Sequence, residues 1–363
     1  MRPSLISTPL LISNLDFSYS RKQKHILERE FRDKAYHHIE PHLDTSSGNA
    51  SAIKPERLKF NPNAIVYFEG GCKRYGEANL SIGAEAVQYG NLCFEGVIAY
   101  WNEDQKQLYI FKADDHYKRL VDSAKYLDIE LGETQEDFKN IIVSLLKQNN
   151  RKSHTYIRPF AYRSDDIIGF TANGSTDFGV YLMPIDRDVK SIKGLNVCKS
   201  NLVRASADAM PLWYKIGGHY YSSAHVKRDA LKKGFDDAIF FTHEGNISEA
   251  TVSNVFIVNS KDELITPPKS ANILMGITRD TILQLGKELG INAKEEHIHE
   301  SAFKDAKEVF FTGTYVGMAP VVSFEGKPIG KGSTGPVFKE LHKKYFDIVL
   351  GNTEHKEWLT PVY

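Results

Sequence analysis

A chain of 363 residues, 41% hydrophobic and 25% charged, has the composition of an ordinary globular protein with enough apolar material for one or two cores. Its 46 basic and 46 acidic residues cancel, which excludes a globally basic nucleic-acid binder and leaves only local patches to consider. Three scattered cysteines, Cys72, Cys93 and Cys198, exclude a disulfide framework and a CxxC zinc knuckle and favour a reducing compartment.

The N-terminus carries no long apolar run and no small-residue cleavage site, and no stretch approaches the roughly 18 apolar residues of a membrane span. A cytoplasmic protein without a membrane anchor is expected. Residues 1–60 read as an N-terminal extension. Within it, residues 18–42 are rich in charge and histidine and predict a surface helix with a weak apolar stripe. The basic run Arg21, Lys22, Lys24 reads as a solvated helix face rather than a nucleic-acid contact. His37, His38, Glu40 and His42 offer metal-ligand chemistry, but Pro41 interrupts any shared helix face, so a solvated arm is expected there and no metal. Residues 44–51 have loop composition.

From residue 64 onward, strands and helices alternate. Strands are predicted at 64–69, 97–101 and 108–111, helices at 116–127 and 135–148, and strands again at 154–161 and 179–183. Turn residues and charge at 186–194 place a boundary there, dividing a small α/β domain, 61–190, from a larger one, 191–363. In the second part, strands are expected at 195–200, 238–242, 255–258 and 309–312, with helices at 222–233 and 278–289. The mixture of hairpin-spaced and helix-spaced strands predicts an α+β fold rather than a regular βαβ repeat.

Four segments could carry chemistry. Lys215 stands among Trp213, Tyr214 and Ile216 and precedes Gly217-Gly218. Desolvation lowers a lysine pKa, as a Schiff-base amine requires, although taken alone a lysine beside glycines is usually a surface lysine. Gly245-Asn246 signals a hairpin turn and puts Glu249 on the outgoing strand or the loop behind it, where it is either a solvated carboxylate or a partner for a ring nitrogen. Gly276-Ile277-Thr278-Arg279 leads into a helix that Thr278 is expected to cap, and free amides there suit phosphate. Thr312-Gly313-Thr314 ends a strand with hydroxyls and amides, an anion cup or an ordinary turn.

The order and spacing of these four segments closely resemble the class IV (fold-type IV) pyridoxal-phosphate aminotransferases, and within them the branched-chain amino acid aminotransferases. Phe94-Glu95-Gly96, His116-Tyr117-Lys118-Arg119, Tyr156-Ile157-Arg158 and the tail Trp358-Leu359-Thr360-Pro361 add to the resemblance, which covers residues 64–363. It implies a two-domain fold like that of D-amino acid aminotransferase, with mixed sheets, a barrel-like large domain that binds the cofactor, and a homodimer. It implies that Lys215 holds pyridoxal 5'-phosphate as a Schiff base and shuttles the proton, and that Glu249 faces the pyridine nitrogen. Arg119, the amides of Ile277 and Thr278, and Thr314 are then assigned to the phosphate, and Tyr220 to the ring hydroxyl. Tyr156 and Arg158, with the amides of Thr314 and Tyr315, are assigned to the substrate carboxylate. Phe94 and Gly96 are expected to line the side-chain pocket, with Tyr89 reaching it from the partner subunit. The implied activity is transamination of leucine, isoleucine and valine with 2-oxoglutarate in amino-acid biosynthesis, ping-pong through pyridoxamine phosphate.

Three positions depart from the family pattern. Ile98 occupies a place where the branched-chain enzymes carry arginine, His219 a place of asparagine, and Tyr315 a place of a small residue. The first implies a weaker grip on a glutamate side chain or a different amino donor. The same motifs also serve specialised biosynthetic aminotransferases with other donors, enzymes of D-amino acids or amines, and the lyase that cleaves aminodeoxychorismate. A catalytically silent relative would lack Lys215 or Glu249, and both are present.

Overall fold

The computed structural model describes residues 61–171 and 173–363, so the expected helix at 18–42, the histidine cluster and the loop at 44–51 lie outside the described residues. Chain order begins with a hairpin, β1 (Ile65–Phe68) and β2 (Gly71–Arg74), followed by a short helix α1 (Glu85–Tyr89). Then come β3 (Leu92–Phe94), β4 (Val97–Asn102) and β5 (Gln107–Phe111), and the helices α2 (Ala113–Tyr126) and α3 (Gln135–Gln148). The long hairpin β6 (Thr155–Arg163) and β7 (Thr176–Pro184) completes this half. These strands form an antiparallel sheet in the order β5-β4-β6-β7-β1-β2, with β3 also paired to β6.

The second sheet is mixed. It contains β8 (Leu195–Lys199), β9 (Asp237–Phe241), β10 (Ile247–Ala250), β11 (Asn254–Val258) and β12 (Leu264–Thr266). It continues with β13 (Ala293–Glu295), β14 (Glu308–Gly313), β15 (Gly317–Phe324) and β16 (Lys327–Pro328). Its order is β10-β9-β8-β15-β14-β11-β12-β13, with β16 on β15. The helices α4 (Tyr220–Lys232), α5 (Ile277–Glu288) and α6 (Pro336–Val349) flank it. The last strand, β17 (Leu359–Pro361), returns to β5 of the first sheet, so the C-terminus does not stay with the second half of the chain.

Local chemistry explains the strongest elements. Thr134 and Asp137 cap α3 reciprocally, and Phe138, Ile142, Leu145 and Leu146 give it a continuous buried face. Strand β9 is buried along its whole length, as a strand covered on both faces must be. At the start of α6, Pro336 occupies the first turn, where no amide is missed. The Glu308 carboxylate accepts from the Val337 and Phe338 amides at 2.9 and 2.8 Å. One apolar cluster joins the two sheets, bringing Ile98, Tyr100 and Tyr156 of the first against Phe256, Phe310 and Met318 of the second. The segment between β7 and β8 is pinned to that cluster by Ile185 and Val189.

Candidate active site

Lys215 reaches the junction of the sheets because its own backbone is tied to the first one. Its carbonyl accepts from the Phe94 amide at 3.1 Å, Ile216 bridges to Cys93, and its amide donates to Ser123 Oγ of α2 at 2.9 Å. A 3-10 turn over Gly217–His219 then starts α4, which carries Tyr220. Lys215 Nζ lies 2.7 Å from the Tyr220 hydroxyl, and both face the Phe94 ring. Burial, and then the Arg119 guanidinium, lower the lysine to about 8 from its ordinary 10.5. Among the described residues no carboxylate lies within ion-pair distance of it. The result is an amine poised between its charged and neutral forms near physiological pH.

The Phe94–Gly96 step positions Arg119. Strand β3 pairs with residues 160–162 of β6 and β4 with 155–157, so Glu95 and Gly96 cross the gap between the two ladders. The Glu95 amide stays bound to the Pro159 carbonyl at 2.8 Å while its side chain turns inward, fully buried. Its carboxylate accepts from Arg119 Nε at 2.6 Å and Nη2 at 2.8 Å, and from His116 Nδ1 at 2.7 Å. Burial alone would raise this carboxyl; Arg119 and His116 instead hold it well below the usual range. His116, Arg119 and Ser123 lie three and four residues apart on one face of α2, so a single helix face serves Glu95 and the Lys215 backbone together. Arg119 spends one further donor on the Met275 carbonyl at 2.9 Å, leaving two of its five N–H groups free. Glu95 and His116 were within the quoted motifs and Ser123 lay just beyond one of them, and none drew a role from sequence, because what they do is hold other residues.

Glu249 lies on β10, buried, beside Arg204, which donates to its Oε1. Asn254 Nδ2 and the Leu274 amide donate to Oε2 at 3.0 and 3.1 Å. Burial pushes this carboxyl up, against the pull of Arg204. Neither Arg204 nor Asn254 has a motif signal in the sequence. Helix α5 begins at Gly276, which caps it without a side-chain hydrogen bond. Thr278 is therefore not the cap that its residue type suggests: it sits in the first turn, buried, and the amides of Ile277 and Thr278 open the helix. Gly276 must be glycine, since a Cβ there would lie 2.0 Å from Asn254 Oδ1.

The residues that the sequence resemblance assigns to substrate gather on the β6 face. Arg158 donates to the Tyr156 hydroxyl at 2.9 Å, and its guanidinium carbon sits 4.3 Å over the Phe94 ring, with Nε buried and unpartnered. Gly96 lets the Tyr156 hydroxyl pass, because a Cβ there would lie 2.2 Å from it. Gly96→Ala should therefore displace Tyr156 from Arg158, costing about 1–3 kcal/mol of stability, checked by denaturant unfolding. Ile98 pairs with Tyr156 across β4 and β6 and is 2% exposed, so it packs behind that tyrosine as core. Thr314 and Tyr315 follow β14, and the Tyr315 ring meets Tyr156 edge-on at 5.7 Å. His219 is half-buried, with Nδ1 unpartnered and its pKa lowered by burial. Tyr89, at the end of α1, stands apart, exposed with its ring 4.9 Å from Phe170. The cluster thus joins Phe94, Gly96, Arg119, Tyr156, Arg158, Lys215, Tyr220 and Tyr315, with Glu249 and the start of α5 beside it, and leaves out Tyr89.

The chain is similar to several known proteins. The family described as amino-transferase class IV matches residues 92–324. A probable branched-chain-amino-acid aminotransferase of Aquifex aeolicus is 36% identical over 306 residues, covering 82% of this chain and 97% of that protein. A crystal structure of a branched-chain aminotransferase from Thermoproteus uzoniensis, with norvaline, superposes with a TM-score of 0.78 at 32% identity, over 82% of this chain and 99% of that one. A branched-chain amino acid aminotransferase from Thermobaculum terrenum in its PLP form gives a TM-score of 0.79 at 28% identity, over 84% and 100%.

Proposed function

Because the chain belongs to the class IV aminotransferases, we propose that it transfers amino groups between leucine, isoleucine or valine and 2-oxoglutarate, with pyridoxal 5'-phosphate as cofactor. The observation that carries this is the environment of Lys215: a lysine lowered to about 8, held at 2.7 Å by Tyr220, between an arginine-bearing helix and a buried glutamate. The residues present fit the cofactor. Two free donors on Arg119 and an α5 N-terminus without a side-chain cap suit a phosphate, with Thr314 at the neighbouring turn. The unpartnered Arg158 Nε and the aromatic rings around it suit a carboxylate and an apolar side chain.

When bound, the cofactor supplies a conjugated ring that accepts electrons from the substrate carbon. The chain supplies the rest. Lys215 Nζ, neutral in a useful fraction near pH 8, would take the proton from substrate Cα and hold it until it is returned. Tyr220 holds that nitrogen in line. Glu249, kept in place by Arg204, Asn254 and the Leu274 amide, would hold the ring nitrogen and favour its protonated form. Tyr156 and Arg158, with the Thr314 and Tyr315 amides, orient the substrate carboxylate, and Phe94 and Gly96 shape the side-chain pocket. The wall of that pocket behind Tyr156 is apolar, Ile98, which suits branched aliphatic side chains.

We further infer a homodimer in the cytoplasm, with a small domain at 61–190 and a large one at 191–363, and Tyr89 lining the partner's pocket. The change from one sheet to the other between Pro184 and Leu195 supports the division. Exposed Ile82, Val87, Tyr89, Ile168 and Phe170 support a buried contact with a second copy. Among the described residues no helix is long and apolar enough to cross a membrane. The test of the activity is direct: the purified protein given leucine and 2-oxoglutarate should form glutamate and 4-methyl-2-oxopentanoate in equal amounts. Release of a 2-oxo acid without glutamate would defeat the aminotransferase reading.

A further inference from the structure

Three buried hydroxyls are linked in a row where the two sheets meet. Tyr100 comes from β4 of the first sheet, Tyr345 from α6, and Thr278 from the first turn of α5. All three residues are at most 2% exposed. The Tyr100 and Tyr345 oxygens stand 3.1 Å apart, and the Thr278 hydroxyl is the second hydrogen-bond partner of Tyr345. Apolar packing fixes the row on every side. Phe111 meets the Tyr345 ring edge-on at 5.8 Å, and Phe346 meets the Tyr100 ring edge-on at 6.3 Å. Ile282 and Leu285 of α5 share one cluster with Leu341 and Tyr345 of α6. In such surroundings a hydroxyl costs free energy unless its proton finds an acceptor.

The order of the protons follows from the neighbours of Tyr100. Its ring meets His154 edge-on at 5.9 Å, and His154 Nδ1 already accepts from the Trp101 amide at 3.1 Å. Burial keeps that imidazole neutral, so Nε2 carries its proton and the ring offers Tyr100 no acceptor. Arg187, in the segment joining β7 to β8, is felt at the Tyr100 hydroxyl, and a guanidinium only donates. Among the described residues the one hydrogen bond of the Tyr100 hydroxyl is to Tyr345. Tyr100 therefore donates to Tyr345, Tyr345 donates to Thr278, and Thr278 keeps its own proton for an acceptor beyond the row. The Leu274 carbonyl, four residues before Thr278, already accepts from Asn254 Nδ2 at 2.8 Å. Each bond accepted along the row polarises the next hydroxyl into a better donor.

We propose that Tyr345 is a positioning residue for the cofactor phosphate, acting through Thr278: it occupies the lone pair of the Thr278 hydroxyl and so turns that proton outward, beside the Ile277 and Thr278 amides at the start of α5. This rests on the cofactor reading above and deepens it. Tyr345 itself touches neither cofactor nor substrate. Tyr100 anchors the far end of the row in the first sheet, while α5 and α6 flank the second, so the orientation of one threonine proton is set by groups from both halves of the chain.

The experiment loads the full chain with pyridoxal 5'-phosphate or with pyridoxal, which lacks the phosphate, and times the release of each. Tyr345→Phe removes one hydroxyl and should speed release of the phosphorylated form about 3- to 10-fold, the size of one neutral hydrogen bond, and of pyridoxal by less than about twofold. Tyr345→Phe added to Thr278→Val should change release no further than Thr278→Val alone, as two groups acting in series require. Tyr100→Phe leaves the bond between Tyr345 and Thr278 in place and should keep both release times within about twofold. Where Tyr345→Phe alone strands the Tyr100 hydroxyl and prevents folding, the double variant with Tyr100→Phe removes both partners together and should show the same phosphate-selective release. Equal acceleration of both ligands, no acceleration of either, or a full effect of Tyr345→Phe on top of Thr278→Val would mean that the tyrosine only packs α6 against α5, and each overturns the proposal. Equal release of the two forms by the unaltered chain refutes the phosphate site itself, and the role of Tyr345 falls with it.

Discussion

Lys215→Ala is expected to lower kcat for leucine by at least about 10³-fold, since it removes the group proposed both to anchor the cofactor and to move the proton. No neighbour can substitute. Tyr220, 2.7 Å away, is pushed up by burial and by Glu249, so it stays protonated and cannot act as a base near neutrality. The visible absorbance that arises from the lysine–cofactor link should vanish with the side chain, and its persistence would reassign the anchoring lysine. The same substitution should stabilise the cofactor-free fold. The lysine releases its proton at about 8 when folded but near 10.5 when unfolded, so the unfolded chain binds the extra proton between those values. The penalty of burying the charge is therefore fully present below pH 8 and fades as pH rises from 8 to 10.5. Lys215→Ala should gain roughly 1–3 kcal/mol at pH 7 in denaturant unfolding and show little difference above pH 10.5. A catalytic amine held at a cost to stability has this signature, whereas a surface lysine would show neither effect.

Legibility in the sequence followed physical cause. Helix α3 runs over Gln135–Gln148 as its apolar spacing and flanking Thr134 dictate, and β1, β4, β5 and β8 lie where β-branched and aromatic runs predict. Strands β3, β10, β12 and β13 are three or four residues long, too short for any period to register, and they are recognisable only through their pairing partners. The return of β17 to the first sheet is a long-range pairing with no local signal. The motif residues Lys215, Arg119, Arg158 and Tyr156 lie close together, with Lys215 and Arg158 against the Phe94 ring. Their supporting residues were silent because their roles are relational: Glu95 matters through Arg119, Ser123 through the Lys215 amide, and Arg204 through Glu249. Thr278 shows the converse. A good capping residue type was overridden: glycine, which alone fits beside Asn254, holds the cap position two residues earlier at Gly276.

Glu249 carries the second large effect, and three substitutions separate its functional charge from its structural one. Glu249→Ala should be the most damaging to the fold, because it strands the Arg204 guanidinium, itself buried, without a counter-charge, at about 3–5 kcal/mol. Glu249→Gln keeps the volume but not the pattern: one terminal oxygen can still accept from Arg204, while the new amide group points its protons at donors on Asn254 and Leu274. That mismatch should cost about 1–3 kcal/mol. On the proposed role of Glu249 its larger consequence is catalytic, for a neutral amide would not keep a ring nitrogen protonated, and kcat should fall about 10²- to 10³-fold with KM for leucine within a few-fold. Glu249→Asp retains the charge one methylene further back and should recover part of the lost rate but not all of the stability. The diagnostic is therefore the order of the three, with Asp above Gln in kcat although both perturb the Arg204 contact. Equal rates for Asp and Gln would mean that the carboxylate only supports Arg204 and has no part in the chemistry.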